Sequence, residues 1–289
     1  MKTINVIGAG KLGLTLARLW QLKKVFVVQN LMSREFSHAQ KAAHLVTGAT
    51  AVESWGELQS ADFWLLSTVD SQIVSVAQNL AKSGLLRGGD VVFHCSGVLS
   101  SADLRSQLPE QVLVGSVHPL KSFAQANVAF DTLGGTFCVQ EGDRAALELL
   151  GPAFEKIGAL IRSIDPQSKV LYHTASVMVC NYVTALMEAG LLCFEKAGLS
   201  REAVYPMIEP LVRETVNNVF KYSTTQALTG PIARGDVDAV KMHVKALDTM
   251  PAPVKDIYCQ LGLLAVDLSR AQARASEADL GRITQVLSA

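Results

Sequence analysis

Near the start of the chain Gly8, Gly10 and Gly13 stand in the spacing G-x-G-x-x-G, within Gly8-Ala9-Gly10-Lys11-Leu12-Gly13 and directly after the apolar run from Ile4 to Ile7. That spacing suits the binding of a pyrophosphate. The first glycine permits a tight turn, the second lets an anion approach the backbone, and the third allows a helix to pack closely on a strand. The N–H groups at the start of that helix, together with its dipole, then favour negative charge. A second strand should end near Asn30-Leu31-Met32-Ser33-Arg34, where sites selective for NAD usually place a carboxylate to bind the ribose 2′-OH. Ser33 and Arg34 offer a hydroxyl and a guanidinium fork instead, which predicts binding of a 2′-phosphate and so NADP (NADPH) as cofactor. The competing reading makes Arg34 an ordinary exposed arginine. Thr68, Val69 and Ser96 follow other apolar runs and are expected to reach the same nucleotide.

A second set of residues has the chemistry of proton transfer. Lys169, His173 and Ser176 share one face of an otherwise apolar helical stretch, and Asn181 lies about a quarter turn away. Polar groups on such a stretch need partners, in the core or in a substrate. His118 ends a strand before Pro119, where it either contacts a substrate or holds a turn. His94, in mid-strand, is expected to be a buried core residue, and Asp70 or Ser71 a helix cap. Lys169 and His173 are the expected proton donors, with Lys169 at the mouth of a cleft and partly desolvated.

The elements that must carry these residues follow from hydrophobic periodicity. Strands are expected at Val25–Gln29, Thr50–Glu53, Asp62–Thr68, Val91–His94, Val112–Val117, Gly135–Gln140 and Ala159–Arg162, with helices after the glycine turn and over 35–46, 71–81 and 143–157. From Asp165-Pro166 onward the period is helical throughout, so the division falls into 1–164, a dinucleotide-binding domain, and 165–289, a helical domain for substrate binding and dimerisation. The first helix of that domain, Pro166 to Lys196, is apolar nearly all round and is expected to be buried on all sides. A second, from Arg201 to about Lys221, should be interrupted or offset at Pro206 and Pro210. A loop is expected over Ala227–Asp236, with Asp236 capping the next helix, and the last helices should cover Val254–Gln272 and Glu277–Leu287.

Composition narrows the partners. Lys+Arg and Asp+Glu both number 26, so no overall field recruits nucleic acid or an anionic membrane, and neither partner is expected. No run of about 18 uninterrupted apolar residues occurs, and Lys2 with the short run after it lacks a signal-peptide pattern. The five cysteines are scattered and include no C-x-x-C, which suits reduced thiols in the cytoplasm better than disulfides or a metal site.

Taken together, Gly8, Gly10 and Gly13, Ala61-Asp62 through Asp70, His94-Cys95-Ser96-Gly97, His118-Pro119-Leu120 with Phe123, Lys169 with Tyr172-His173 and Asn181, and Leu228-Thr229-Gly230-Pro231 with Arg234-Gly235-Asp236 carry a family resemblance. Over almost its whole length the chain resembles Rossmann-like proteins whose C-terminal helical domain has no assigned function, a group related to pyrroline-5-carboxylate reductase, ketopantoate reductase and 6-phosphogluconate dehydrogenase-like enzymes. The resemblance implies an α/β fold with a doubly wound parallel Rossmann sheet followed by an all-α domain like the C-terminal one of 6-phosphogluconate dehydrogenase. It also implies a nicotinamide cofactor, a cleft between domains for a small-molecule substrate, and a homodimer formed through the helices. In similar 3-hydroxyacid dehydrogenases a lysine is followed four residues later by asparagine, whereas here Lys169 is followed by His173, so only the lysine role carries over cleanly. The expected activity is NADP-dependent reduction of a small oxo acid or imine. A non-catalytic NADP(H) sensor and a deazaflavin-dependent NADP reductase are the alternatives.

Overall fold

A computed structural model describes residues 1–121 and 133–289, so Phe123 lies outside the described residues. The chain forms two compact units, Met1–Val177 and Met178–Ala289. In the first, β1 (Thr3–Ile7), β2 (Val27–Met32), β3 (Thr50–Val52), β4 (Phe63–Leu66), β5 (Val91–His94), β6 (Leu113–Pro119), β7 (Phe137–Gly142) and β8 (Leu160–Ser163) make one sheet in the order β3-β2-β1-β4-β5-β6-β7-β8. The first six are parallel, β7 runs antiparallel to β6, and β8 is parallel to β7. The order reverses between β1 and β4, the switch point at which open α/β sheets bind their ligands.

Side-chain alternation divides the sheet between two cores. Ile4, Val6, Phe63, Leu65, Val91 and Phe93 enter one cluster, and Ile7, Trp64, Leu66 and Val92 the other. A strand buried on both faces is apolar at most positions, which is why these runs read as near-continuous rather than alternating. Helices cover both faces: α1 (Lys11–Leu22), α2 (Phe36–Leu45), α3 (Asp70–Lys82), the short α4 (Ser101–Arg105) and α5 (Arg144–Glu155). Trp20 of α1 is fully buried, donates from Nε1 to the Ala153 carbonyl at 3.0 Å, and meets Phe26 and Phe154 edge-on at 5.3 and 5.2 Å. Asp70 is the first residue of α3 and Val69 stands at the N-cap position without a side-chain cap, so Asp70 is not the cap expected of it but the acidic residue of the first turn.

The helical stretch after β8 differs from expectation. Asp165 caps a single 3-10 turn (Pro166–Ser168), which leads into α6 (Lys169–Val179), and a break at Cys180 (φ −121°, ψ −68°) separates it from α7 (Asn181–Lys196). This apolar stretch passes the length and composition test for a membrane span, yet only 6% of its most apolar window is buried. The expectation of a helix buried on all sides is therefore corrected: Val170, Leu171, Val179 and Val183 are exposed, because the described chain does not itself cover them. Strands cease at Ser163, but the first turns of α6 belong to the sheet unit.

In the second unit α8 (Arg201–Ala227) runs through Pro206 and Pro210 without interruption. Both prolines are exposed, where water can satisfy the carbonyls that their missing N–H groups leave unpaired. The break comes instead at Ser223 (φ 81°, ψ 163°). Part of the expected loop is a short helix, α9 (Gly230–Arg234), closed by Gly235 in the left-handed region, and Asp236 caps α10 (Val237–Leu247) by accepting from the Ala239 N–H. Ile232, Val240, Val266, Leu280 and Ile283 form a core with α11 (Ala252–Gln272) and α12 (Glu277–Leu287).

The turn after β1 tolerates no side chain. Gly8 has φ +103°, and a Cβ there would stand 2.5 Å from the Ser67 carbonyl carbon. Gly8→Ala is expected to cost about 2 kcal/mol or more of stability from strain and overlap together, read by urea unfolding. An unchanged midpoint would contradict this geometry.

Candidate functional site

The glycine turn is held from three sides. The Gly8 N–H donates to the Met32 carbonyl at 2.7 Å, the Ser67 hydroxyl donates to the Gly8 carbonyl at 2.6 Å, and the Ala9 N–H donates to Ser33 Oγ at 2.8 Å. At Gly13 an added Cβ would lie 2.3 Å from the Gly8 carbonyl oxygen, so α1 sits directly on the turn. Above Gly10 the space is open, with nothing within 4 Å of an added Cβ. Gly10 is the N-cap of α1, with no side-chain cap and no acidic residue in the first turn, and Lys11 is exposed while Leu12 is half-buried. An anion therefore has both room and a favourable dipole at this point.

Ser33 serves the turn with its oxygen and keeps its hydroxyl proton for another acceptor. Arg34 is almost fully exposed, and its Nε stands 3.8 Å from a carboxylate oxygen of Glu35. At the end of β4 the Thr68 hydroxyl is buried without a hydrogen-bond partner, which is costly unless a ligand supplies one. Val69 is exposed. Ser96 is occupied in its own loop, its oxygen accepting from the Val98 and Leu99 N–H groups at 3.2 and 3.0 Å.

The acid-base residues gather at the ends of β5 and β6. His118 Nδ1 lies 2.9 Å from the Tyr172 hydroxyl, and its ring meets that of His173 edge-on at 5.8 Å. Burial pushes the His118 imidazole down to about 4, assisted by His173 and Lys169 and opposed by the Asp70 carboxylate. Burial also raises the Tyr172 phenol to about 12, so the pair is neutral at pH 7. His173 Nδ1 is buried without a partner and packs on Gly97, where a Cβ would come within 2.3 Å of it. Ser176 donates to the Tyr172 carbonyl, and Asn181 opens α7, exposed, in the second unit.

Lys169 departs from expectation. It is 1% exposed rather than partly solvated, with Nζ donating to Glu141 Oε1 at 2.9 Å and to Ser116 Oγ. Burial lowers its pKa and Glu141 opposes the shift. Glu141 in turn accepts from the Ser101 N–H at 2.9 Å and the Ser101 hydroxyl at 2.6 Å. His94 is fully buried and satisfied: Nδ1 accepts from the Ser96 N–H at 3.1 Å, which leaves Nε2 to donate to the Ser100 carbonyl at 3.2 Å. Sequence reasoning missed Glu141 and Ser116 and gave Gly97 and Tyr172 no role of their own. A carboxylate inside the strand Phe137–Gly142 was the available signal for Glu141, and the position of Tyr172 one turn after Lys169 was that for Tyr172. Among the described residues no cluster of metal-ligating side chains occurs.

Comparison with known proteins agrees with this architecture. Residues 2–119 match the model of a Rossmann-like domain, and residues 136–265 match a domain of unknown function (DUF2520). The two matches follow one another in the order the resemblance implied, and the second begins within the sheet, at β7, and runs on into the helices. No curated protein matches it. Among solved structures it is similar to protein TM1727 from Thermotoga maritima, at 24% identity over 94% of this chain and 100% of that one, with a TM-score of 0.74. An imine reductase from Myxococcus stipitatus in complex with NADP+ is 16% identical over 97% and 99% of the two chains, with a TM-score of 0.65. A pyrroline carboxylate reductase from Plasmodium falciparum with NADP bound is 15% identical over 99% and 98%, with a TM-score of 0.55. At these identities the likeness is one of fold.

The two depressed histidines give stability a pH dependence of definite sign. His94 and His118 are both held near 4, whereas an imidazole in the unfolded chain titrates near 6.5. Between those values the unfolded chain binds protons that the folded chain refuses, so stability is retained above about pH 7 and falls as the pH drops through this window. The loss should be on the order of 2–3 kcal/mol for each ring, measured by urea unfolding between about pH 7.5 and 4.5. Stability flat across that range would show that the rings are not held neutral.

Proposed function

We propose that the chain is an NADP-dependent oxidoreductase that reduces a small oxo acid or imine at the carboxyl edge of its sheet, in the cytoplasm. The cytoplasmic setting rests on the scattered cysteines. The observation that carries the reading is the open space over Gly10 at the uncapped start of α1, on the same sheet edge as two buried polar atoms without partners, Thr68 Oγ1 and His173 Nδ1. The residues present fit a nicotinamide dinucleotide. Gly8 to Gly13 would hold the pyrophosphate, Ser33 and Arg34 the 2′-phosphate, and Thr68 with Val69 and the loop after Ser96 the nicotinamide end. When bound, that cofactor supplies a hydride.

The chain's own part is to orient the substrate and supply a proton. His118 and Tyr172 form a neutral hydrogen-bonded pair, and His173 offers an unengaged ring nitrogen beside them. A phenol that donates to His118 Nδ1 puts the ring proton on Nε2, where the imidazole can hold a substrate oxygen or nitrogen and pass that proton to it as the Tyr172 proton moves onto Nδ1, leaving the phenolate to be reprotonated from water. The solved structures similar to this chain include reductases with NADP bound, which supports the cofactor and the reaction class.

The exposed apolar side chains of α6 and α7 support a homodimer in which a second copy covers Val170, Leu171, Val179 and Val183. Replacing Leu171 and Val179 with aspartate should convert a dimer into a monomer in sedimentation. A wild-type chain that is monomeric at micromolar concentration would remove this assignment.

The cofactor test is titration of NADPH and NADH. NADPH is expected to bind more tightly, and Arg34→Ala should weaken it tenfold or more, since a fork contact to phosphate contributes roughly 1.5–3 kcal/mol. Gly10→Ala should leave folding intact and weaken both cofactors. Oxidation of NADPH by pooled oxo acids and imines then tests the reaction. Tight binding with no oxidation in any pool would make the chain a sensor, and equal affinities for NADPH and NADH would overturn the NADP assignment.

A further inference from the structure

We propose that Lys169 and Glu141 are a positioning pair: their buried contact fixes the first turn of α6 on the sheet and thereby seats Tyr172 and His173 against His118 and Gly97. The assignment of those four residues to a site rests on the reading above, while the seating itself stands on geometry.

His94, Ser116 and Glu141 occupy one rung across β5, β6 and β7, since His94 pairs with Ser116 and Ser116 with Glu141 in the sheet register. Lys169 donates to two members of that rung, Glu141 and Ser116. Two residues further along β6, on the same face, stands His118, and one helical turn further along α6 stands Tyr172, which it meets at 2.9 Å. Two strand residues advance about 6.7 Å and three helical residues about 4.5 Å, near enough for long side chains to make both contacts at once. α6 is thus joined to β6 at two successive points, Lys169 to Ser116 and Tyr172 to His118, and the ion pair with Glu141 ties the inner one to β7 as well.

The environment favours this role over direct proton delivery. The ammonium is 1% exposed, and the carboxylate opposite is likewise buried and already holds two donors from Ser101. A buried pair of this kind tolerates loss of both charges far better than loss of one, because a single removal leaves the other charge unpaired. That asymmetry supplies the test.

In the full-length chain, Lys169→Met, Glu141→Gln and the double variant are compared with Tyr172→Phe, which removes the outer contact alone. The readouts are thermal melting and the titration of His118, followed by NMR of ring-labelled histidine; neither needs a substrate. In the wild type burial pushes the His118 imidazole down to about 4. Each single variant is expected to melt lower and to show the displaced His118 titration of Tyr172→Phe, and the double variant to restore both towards wild type. If a single variant does not fold, the double variant alone decides. Single variants that lose stability but keep the wild-type His118 titration overturn the proposal, as does a double variant whose His118 titration is displaced as far as in Lys169→Met alone. A double variant matching the wild type in both readouts, but with turnover of an identified substrate down by roughly 10² or more, makes Lys169 the proton donor instead. A failure of the reductase reading appears separately, in the NADPH titration.

Discussion

A single polar rung constrains the first unit. Most of β5 and β6 is filled by apolar or small side chains, but His94, Ser116 and Glu141 place an imidazole, a hydroxyl and a carboxylate in line across three strands, and Lys169 closes the row from α6. Burying such groups is unfavourable unless each is hydrogen-bonded, and here each is, through Ser96, Ser100 and Ser101 as well as through one another. The cost of leaving any one unpaired makes the arrangement all-or-none. Displacing α6 from the sheet would strand a carboxylate in the core, so the helix is held at one position along β6 rather than free to slide on an apolar surface.

The glycine turn is the counterpart at the switch point. There the constraint is steric: no Cβ fits at Gly8 or Gly13, while Gly10 faces open space. Three glycines in one motif thus have two different reasons. Gly8 and Gly13 belong to the protein's own packing, and Gly10 alone is left for a ligand. Ser33 joins the two by bonding to Ala9, so the end of β2, where 2′-phosphate binding is expected, is rigidly tied to the turn where the pyrophosphate would lie.

Local patterns carried most of the fold. Residues 91–94 and 277–287 were legible to the residue, because a continuous apolar strand and a capped amphipathic helix each state their own limits. The glycine turn was equally plain. What escaped was whatever depends on pairing across distance. Nothing near Lys169 in the sequence announces Glu141, and the partnership exists only because β7 turns back antiparallel to β6 and brings Glu141 opposite Ser116. For the same reason Lys169 read as a cleft lysine. The helix after β8 misled in another way: periodicity reports that a face is apolar, not what covers it, and an all-round apolar pattern equally describes a core helix and one that awaits a partner.

Burial also determines what the histidine cluster can do. It is the first cause of the depressed His118 imidazole, and His173 and the Lys169 ammonium push it the same way. Both His118 and Tyr172 then remain neutral at pH 7. A neutral donor in a dry setting cannot neutralise a charged substrate by ion pairing; it acts by directed hydrogen bonds, whose worth depends on geometry held to a fraction of an ångström. Under the proposed function, precision of seating rather than charge would be the site's resource. A fully satisfied polar rung beneath the cluster supplies that precision more firmly than an apolar contact of the same size would.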